Sequence, residues 1–186
     1  MYSYSRASPT APGLTCAEAH IFCFEDLNSS PRNVHWLDCS TFPPKPLSVT
    51  HTQLNQIVGM TCCITDFSKR LLVVYSKEIV QMYDGESDTL LWELKDRFPG
   101  MVNYTHTTSL ATDAYVLFLC DGGNACIHAV RLSSGDYICC LIREGEQGMG
   151  FPRSITYERF RKCLHIHHEK GGVQYLTEAT VQRIEK

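Results

Sequence analysis

Three acidic positions recur along the chain at nearly equal spacing: Asp66, Asp113 and Glu158, 47 and 45 residues apart. They sit in comparable surroundings, Ile64-Thr65-Asp66, Ala111-Thr112-Asp113 and Thr156-Tyr157-Glu158. Each precedes an apolar run (71–75, 116–120, 163–166) and then a second one (79–83, 127–130, 173–176). In the first two copies a polar turn, Asp84-Gly85-Glu86-Ser87 or Ser133-Ser134-Gly135-Asp136, leads into a third run at 89–94 or 137–142. The runs are short, rich in Val, Ile, Leu, Tyr and Cys, and show no sustained helical period, so they read as β-strands. Runs 71–75 and 116–120 do not alternate apolar with polar residues, and a strand apolar on both faces must be covered on both. Sheets stacked face to face meet that requirement.

A period of about 45 residues built from short strands is that of a β-propeller blade, a unit that buries its faces only against its neighbours. The expected fold is therefore all-β, with blades at about 57–103, 104–149 and 150–186, the last one ending early. Upstream, 21–24 and 34–39 read as strands on either side of the turn-prone Asn28-Ser29-Ser30-Pro31. Residues 16–50 are thus expected to hold a partial preceding blade and a Pro-rich loop, because Pro43, Pro44 and Pro46 remove backbone donors and fix an extended path. Residues 1–15, rich in Ser, Pro and Thr, read as a disordered leader. Three to four blades are visible, which implies an incomplete ring or a fragment of a longer one.

The middle unit carries a closer likeness. Asp113, Leu119 and Asp121, then Asn124, Ile127 and Val130, follow the spacing of the NHL-repeat β-propellers, with Cys126 where that family prefers Arg. Gly150-Phe151-Pro152-Arg153-Ser154-Ile155 matches the start of the same motif, whereas Val74 and Ile166 stand where the first and third units should place a strand-ending Asp. The chain resembles this family over roughly residues 57–178 and most closely in the middle copy. The resemblance to the NHL domain of tripartite-motif-type proteins implies a ring whose loops bind protein or RNA. Some related propellers are metal-dependent lyases or lactonases. The paired Cys and His ligands of a RING or B-box zinc module do not occur in these residues.

Seventeen Lys and Arg against 20 Asp and Glu leave a formal charge of −3, so no global basic field draws the chain to nucleic acid or anionic lipid. The longest apolar runs are far below the ~20 residues needed to span a bilayer, and no membrane association is expected. The first 13 residues lack the apolar core of a secretory signal, which makes a reducing, cytoplasmic setting the expectation. The 10 cysteines include no C-x-x-C and mostly fall in strand-like runs, where a free thiol behaves as a small buried hydrophobe. Two sequons, at Asn28 and Asn103, would matter only outside the cytosol.

The candidate chemical motifs each have a plainer reading. His165-Ile166-His167-His168 offers imidazoles on alternate positions but no third ligand at a recognisable spacing, so a solvated or hydrogen-bonded histidine cluster is expected and no metal. Gly145, Gly148 and Gly150 lack the Lys-Ser/Thr and helix of a phosphate cradle and read as a turn. Cys62-Cys63 and Cys139-Cys140 have no paired His at motif spacing, and Trp36 and Trp92 read as packing residues. Asp121, Gly122, Gly123 and Asn124 read as a tight structural turn, glycine supplying positive φ and Asp and Asn bonding the backbone. The expected function is a non-catalytic interaction module that takes a protein partner, without cofactor, on one face. By resemblance that face gathers loops 76–78, 95–107, 121–124, 143–148 and 167–170. Lys95, Arg97, Tyr104, His106, Arg143, His167, His168 and Lys170 would make it a mixed basic and aromatic surface. RNA binding through the same loops is the first alternative and a metal-dependent propeller enzyme the second. Apolar blade faces at the ends of an open arc would favour self-association.

Overall fold

The computed structural model describes residues 14–18, 21–26, 32–64, 70–76, 79–95, 107–113, 115–143, 145–146, 150–158, 160–169 and 172–176. Among these residues fifteen strands form four antiparallel sheets, each a simple meander. Sheet A holds β1 (Leu14–Glu18), β2 (Ile21–Asp26), β3 (Asn33–Asp38) and β4 (Lys45–His51). Sheet B holds β5 (Gly59–Ile64), β6 (Arg70–Tyr75), β7 (Ile79–Asp84) and β8 (Thr89–Lys95). Sheet C holds β9 (Thr107–Thr112), β10 (Val116–Asp121), β11 (Cys126–Arg131) and β12 (Tyr137–Arg143). Sheet D holds β13 (Pro152–Glu158), β14 (Cys163–His168) and β15 (Val173–Leu176). No α-helix occurs among the described residues, and none there is long and apolar enough to cross a membrane. Among the described residues the sheets are not closed.

The first strands of successive sheets lie side by side, β1 by β5, β5 by β9 and β9 by β13. This arrangement explains the non-alternating runs. On β6, Leu72 and Val74 pack with Val34 and Trp36 of sheet A, while Leu71, Val73 and Tyr75 pack with Leu117 and Leu119 of sheet C. On β10, Phe118 and Cys120 face the other way and join Ile155, Leu164 and Ile166 of sheet D. Three apolar layers thus separate four sheets, and each inner strand contributes to two layers because successive side chains point to opposite faces. Burial of this kind is the main stabilising term, on the order of 25 cal/mol per Å2 of apolar surface removed from water.

Side-chain hydrogen bonds reinforce sheet A internally and the junctions of sheet C with sheets B and D. Trp36 is fully buried and donates its indole N–H to Thr50 Oγ1 at 3.0 Å. Tyr75 donates its hydroxyl to the Thr108 carbonyl at 2.8 Å, and Trp92 Nε1 donates to the Leu132 carbonyl at 2.8 Å, both from sheet B to sheet C. The Ile155 amide donates to Ser109 Oγ at 3.2 Å, from sheet D to sheet C. The two tryptophans therefore act in packing, as their sequence surroundings implied.

Several expectations require correction. The sheet in residues 16–50 is not partial, because sheet A has four strands; Pro43 and Pro44 do lie in the loop between β3 and β4, but β4 runs through Pro46. Proline is tolerated there because β4 is an edge strand, where a missing N–H breaks no ladder. The leader cannot extend to residue 15, since Leu14 and Thr15 pair with Phe24 and Cys23; its first 13 residues lie outside the described residues. Finally, a strand leads up to each repeated acidic position, β5 before Asp66, β9 before Asp113 and β13 ending on Glu158, and it is the first strand of its sheet.

Candidate functional site

In every sheet the meander collects the start of the first strand and the turn between the second and third at one end, joined in the four-stranded sheets by the end of the last strand. Tyr75 pairs with Val80 and Ile79 with Lys95 in sheet B; Asp121 pairs with both Thr107 and Cys126, and Cys126 with Arg143, in sheet C. In sheet D, Pro152 pairs with His168 and His167 with Val173. Among the expected surface residues, Lys95, Arg143, His167 and His168 therefore lie at corresponding ends of their sheets. Arg97, Tyr104, His106 and Lys170 lie outside the described residues. Lys95 and Arg143 are the last residues of strands and not loop residues, and Arg143 and His167 are exposed.

A cleft of about 290 Å3 opens at this end between sheets C and D, lined by Thr108, Gly122, Phe151, Pro152, Arg153 and Glu169. Its volume is at the small end of ligand pockets and suits one anchoring side chain better than a cofactor. Arg153 Nη2 and Glu169 Oε1 form an exposed ion pair at 2.7 Å across its rim, and the Glu169 amide donates to the Phe151 carbonyl at 3.0 Å. Sequence reasoning located the turn at Gly122 and placed Glu169 in the face loop 167–170, but missed Phe151 and Arg153, which motif spacing assigned to a blade start. The most exposed aromatic side chains, Phe42, Tyr115 and Phe160, lie in turns at the opposite end of the sheets.

The turn beside the cleft is built by Asp121. Its Oδ1 accepts the amides of Gly123 and Asn124 at 3.1 and 3.3 Å, and its Oδ2 accepts Asn124 Nδ2 at 2.8 Å. Asp84 and Asp113 fix their own turns in the same way, through the amides of Glu86 and Ser87 and of Tyr115 and Val116. The expectation that glycine supplies the positive φ is not met here. Ala125 takes that conformation at φ 47°, while Gly122 and Gly123 do not, because the left-handed position is the last residue of the turn.

Behind this turn Cys126, His128 and Cys140 come together with ligand atoms all within 4.8 Å of one another. Cys126 and His128 are alternate residues on one face of β11. Asp121 faces Cys126 from β10, and Cys140 faces His128 from β12 only because a bulge shifts the register between Ile127 and His128. His128 Nε2 is 3.1 Å from Cys126 Sγ and 3.6 Å from Asp121 Oδ2. Burial opposes the His128 imidazolium, but hydrogen bonds to Asp121 and Cys140 outweigh it and raise the pKa. The Cys140 thiol is lowered by hydrogen bonds from Cys126 and then His128, and the Cys126 thiol is raised as the donor to it. Sequence reasoning treated these cysteines as inert. The available signal was the C-x-H alternation on a strand, which shares a face, followed by a cysteine on the returning strand.

A second group, Glu158, Cys163 and His165, lies at the β13–β14 turn. His165 Nε2 is 3.0 Å from Glu158 Oε2 and 3.3 Å from Cys163 Sγ, and Arg161 Nε is 3.4 Å from the other carboxylate oxygen. His165 is thus part of a hydrogen-bonded cluster, whose Glu158 and Cys163 are the neighbouring potential ligands that the spacing in the sequence did not reveal, whereas both ring nitrogens of His168 are buried without a hydrogen-bond partner. Cys39, Cys62, Cys63, Cys120, Cys126, Cys139, Cys140 and Cys163 are free thiols, and of these Cys39 alone is exposed.

No family model matches the chain, and no curated protein matches it. Among solved structures it is similar to the computationally designed Ika4 protein, with TM-score 0.54 and 11% identity over 92% of this chain and 94% of that one. It is also similar to a chain of the Nidogen/Laminin complex, with TM-score 0.60 and 16% identity over 90% of this chain. This chain spans 60% of the latter's length. At these identities the likeness is one of fold.

Proposed function

We propose that this chain is a non-catalytic interaction module of NHL-like β-propeller type, working in the cytoplasm, whose four sheets are blades of an open ring. The observation that carries the reading is the cleft between sheets C and D at the end where the inter-strand turns converge. It is open, mixed in character and lined by turn residues and strand ends, which suits a protein partner that inserts one side chain against Phe151 and pairs charge with Arg153 or Glu169. The family-like turn Asp121-Gly122-Gly123-Asn124 forms one wall, and the stacking of four-stranded meanders through their first strands supports the blade assignment. RNA is the less favoured ligand, because Arg153 is already paired with a carboxylate and the chain is acidic overall.

The test is affinity purification of the tagged full chain with mass-spectrometric identification of co-purifying proteins, followed by binding measurements on the best candidate. Phe151→Ala and Arg153→Glu should each weaken binding at least tenfold, while Phe160→Ser at the opposite end of sheet D leaves it unchanged. The reverse pattern would place the partner on the wrong end for this reading. Binding to RNA with a steep salt dependence, and to no protein, would replace the reading with the RNA one.

A further inference from the structure

We propose that Cys126, His128 and Cys140, whose ligand atoms lie within 4.8 Å of one another, bind a divalent zinc ion, with the Asp121 carboxylate drawn in beside His128 as the fourth donor, and that the ion locks the Asp121–Asn124 turn to the last strand of sheet C. The inference stands apart from the choice of binding partner. Two thiolates, an imidazole and a carboxylate are a donor set that suits zinc, and a tetrahedral site with usual bond lengths separates an imidazole nitrogen from a sulfur or an oxygen by about 3.5 Å. The observed separations from His128 Nε2, 3.1 Å to Cys126 Sγ and 3.6 Å to Asp121 Oδ2, straddle that value.

Three further features favour a metal over the alternatives. First, Cys126 and Asp121 converge on one nitrogen of His128, whereas a catalytic Cys-His-Asp arrangement needs the thiol and the carboxylate on different ring nitrogens. Second, the Asp121 carboxylate is fully buried, and its two oxygens have separate surroundings: Oδ1 holds the turn amides, while Oδ2 faces His128 with Asn124 Nδ2 as an outer hydrogen-bond donor. Outer donors of this kind orient metal-binding carboxylates. Third, the Tyr137 ring lies edge-on to the His128 imidazole at 5.8 Å, which restricts its rotation. With Asp121 drawn in as the fourth donor, and with Cys126, His128 and Asp121 buried, no coordination position is left for a substrate, so the ion's role is structural. The bulge that brings Cys140 opposite His128 then has a purpose: without it Leu141 would occupy that position.

The test uses the full chain purified under reducing conditions, with zinc measured by elemental analysis and the apo protein titrated with cobalt(II). One equivalent of zinc is expected, together with a cobalt complex showing thiolate charge-transfer bands and the visible bands of tetrahedral coordination. Cys126→Ser and Cys140→Ser should abolish both, while Cys163→Ser, in the Glu158–His165 group, keeps them. Asn124→Ala leaves all four donors in place and should weaken zinc binding about 10- to 100-fold. Chelation should lower the melting temperature of wild type and of Cys163→Ser, and added zinc should restore it. The proposal fails if folded wild type takes up no stoichiometric cobalt. It also fails if Cys163→Ser abolishes uptake that Cys126→Ser retains, or if Cys126 and Cys140 are found disulfide-bonded under reducing conditions.

Discussion

The Trp36 indole closes over Gly85 so tightly that a Cβ on that glycine would lie 2.6 Å from Cζ2 and 2.9 Å from Cε2. Trp36 belongs to sheet A and Gly85 to the β7–β8 turn of sheet B, so this approach sets the spacing between the two sheets. Ser48 adds to it by donating its hydroxyl to the Gly85 carbonyl at 2.7 Å, and the Arg70 guanidinium stacks 5.8 Å from the Trp36 ring. A ring held from both sides has nowhere to retreat. Gly85→Ala should therefore destabilise the chain by about 1–3 kcal/mol, the usual cost of overpacking. Urea unfolding followed by circular dichroism measures it, and Trp36→Phe in the same background should recover part of the loss. A Gly85→Ala protein as stable as wild type would show that the junction yields freely.

The next junction depends on hydrogen bonds more than on fit. Trp92 and Tyr75 each donate from sheet B to a carbonyl of sheet C, at Leu132 and Thr108. Trp92→Phe and Tyr75→Phe should each cost about 0.5–1.5 kcal/mol through the lost bond, with additional packing loss for tryptophan. The two bonds lie at different places on the junction and share no partner, so the double variant should lose close to the sum. Thermal or urea denaturation of the four proteins reads this directly, and a strongly non-additive double variant would mean that the junction rearranges as a unit.

Which of these relationships could be read from the sequence depends on how far along the chain they reach. The runs at 71–75 and 116–120 state their own requirement, apolar on both faces, and the structure covers both. The Asp121 turn is likewise local, since the carboxylate bonds amides two and three residues ahead. β4 and β9 were not legible because a polar or Pro-containing edge segment becomes a strand only when a neighbour supplies the pairing. The Cys126–Cys140 proximity was hidden for a related reason: a bulge decides which residue opposes His128, and no local signal in β12 announces it. Nor could the cleft be read, because its walls come from β9, the Asp121 turn and segments on either side of β14.

Arg153 and Glu169 give a clean way to separate binding from folding. Their ion pair is exposed, with side chains 68% and 54% accessible, and pairs of that kind contribute about 0–1 kcal/mol. Arg153→Glu should leave the melting temperature within a few degrees of wild type while inverting the charge on the cleft rim. Double reversal, Arg153→Glu with Glu169→Arg, should restore the pair's internal attraction but not the binding of a partner that reads the original polarity. If the single reversal unfolds the chain, the pair supports the fold and the cleft assignment loses its simplest test.

Tyr83 links the fold to pH. Its hydroxyl donates to Gln81 Oε1 at 2.8 Å and accepts the Gln53 amide at 2.8 Å, inside the layer between sheets A and B. Burial raises its pKa above 10.0, the Gln53 amide pulls it back in part, and the Glu93 and Asp88 carboxylates push it further up. Because the folded state holds this proton more tightly than the unfolded chain, the contribution is fully present below the unfolded value. It is lost as pH rises through the folded one. Stability should therefore fall on the alkaline side of pH 10, and Tyr83→Phe, which has no proton to lose, should flatten that limb. The same substitution removes two hydrogen bonds and should cost about 1–2 kcal/mol at neutral pH, so the stability curves of variant and wild type should converge as the medium becomes alkaline. Curves that stay parallel from neutral to alkaline pH would mean that Tyr83 ionises as readily in the folded chain as in the unfolded one.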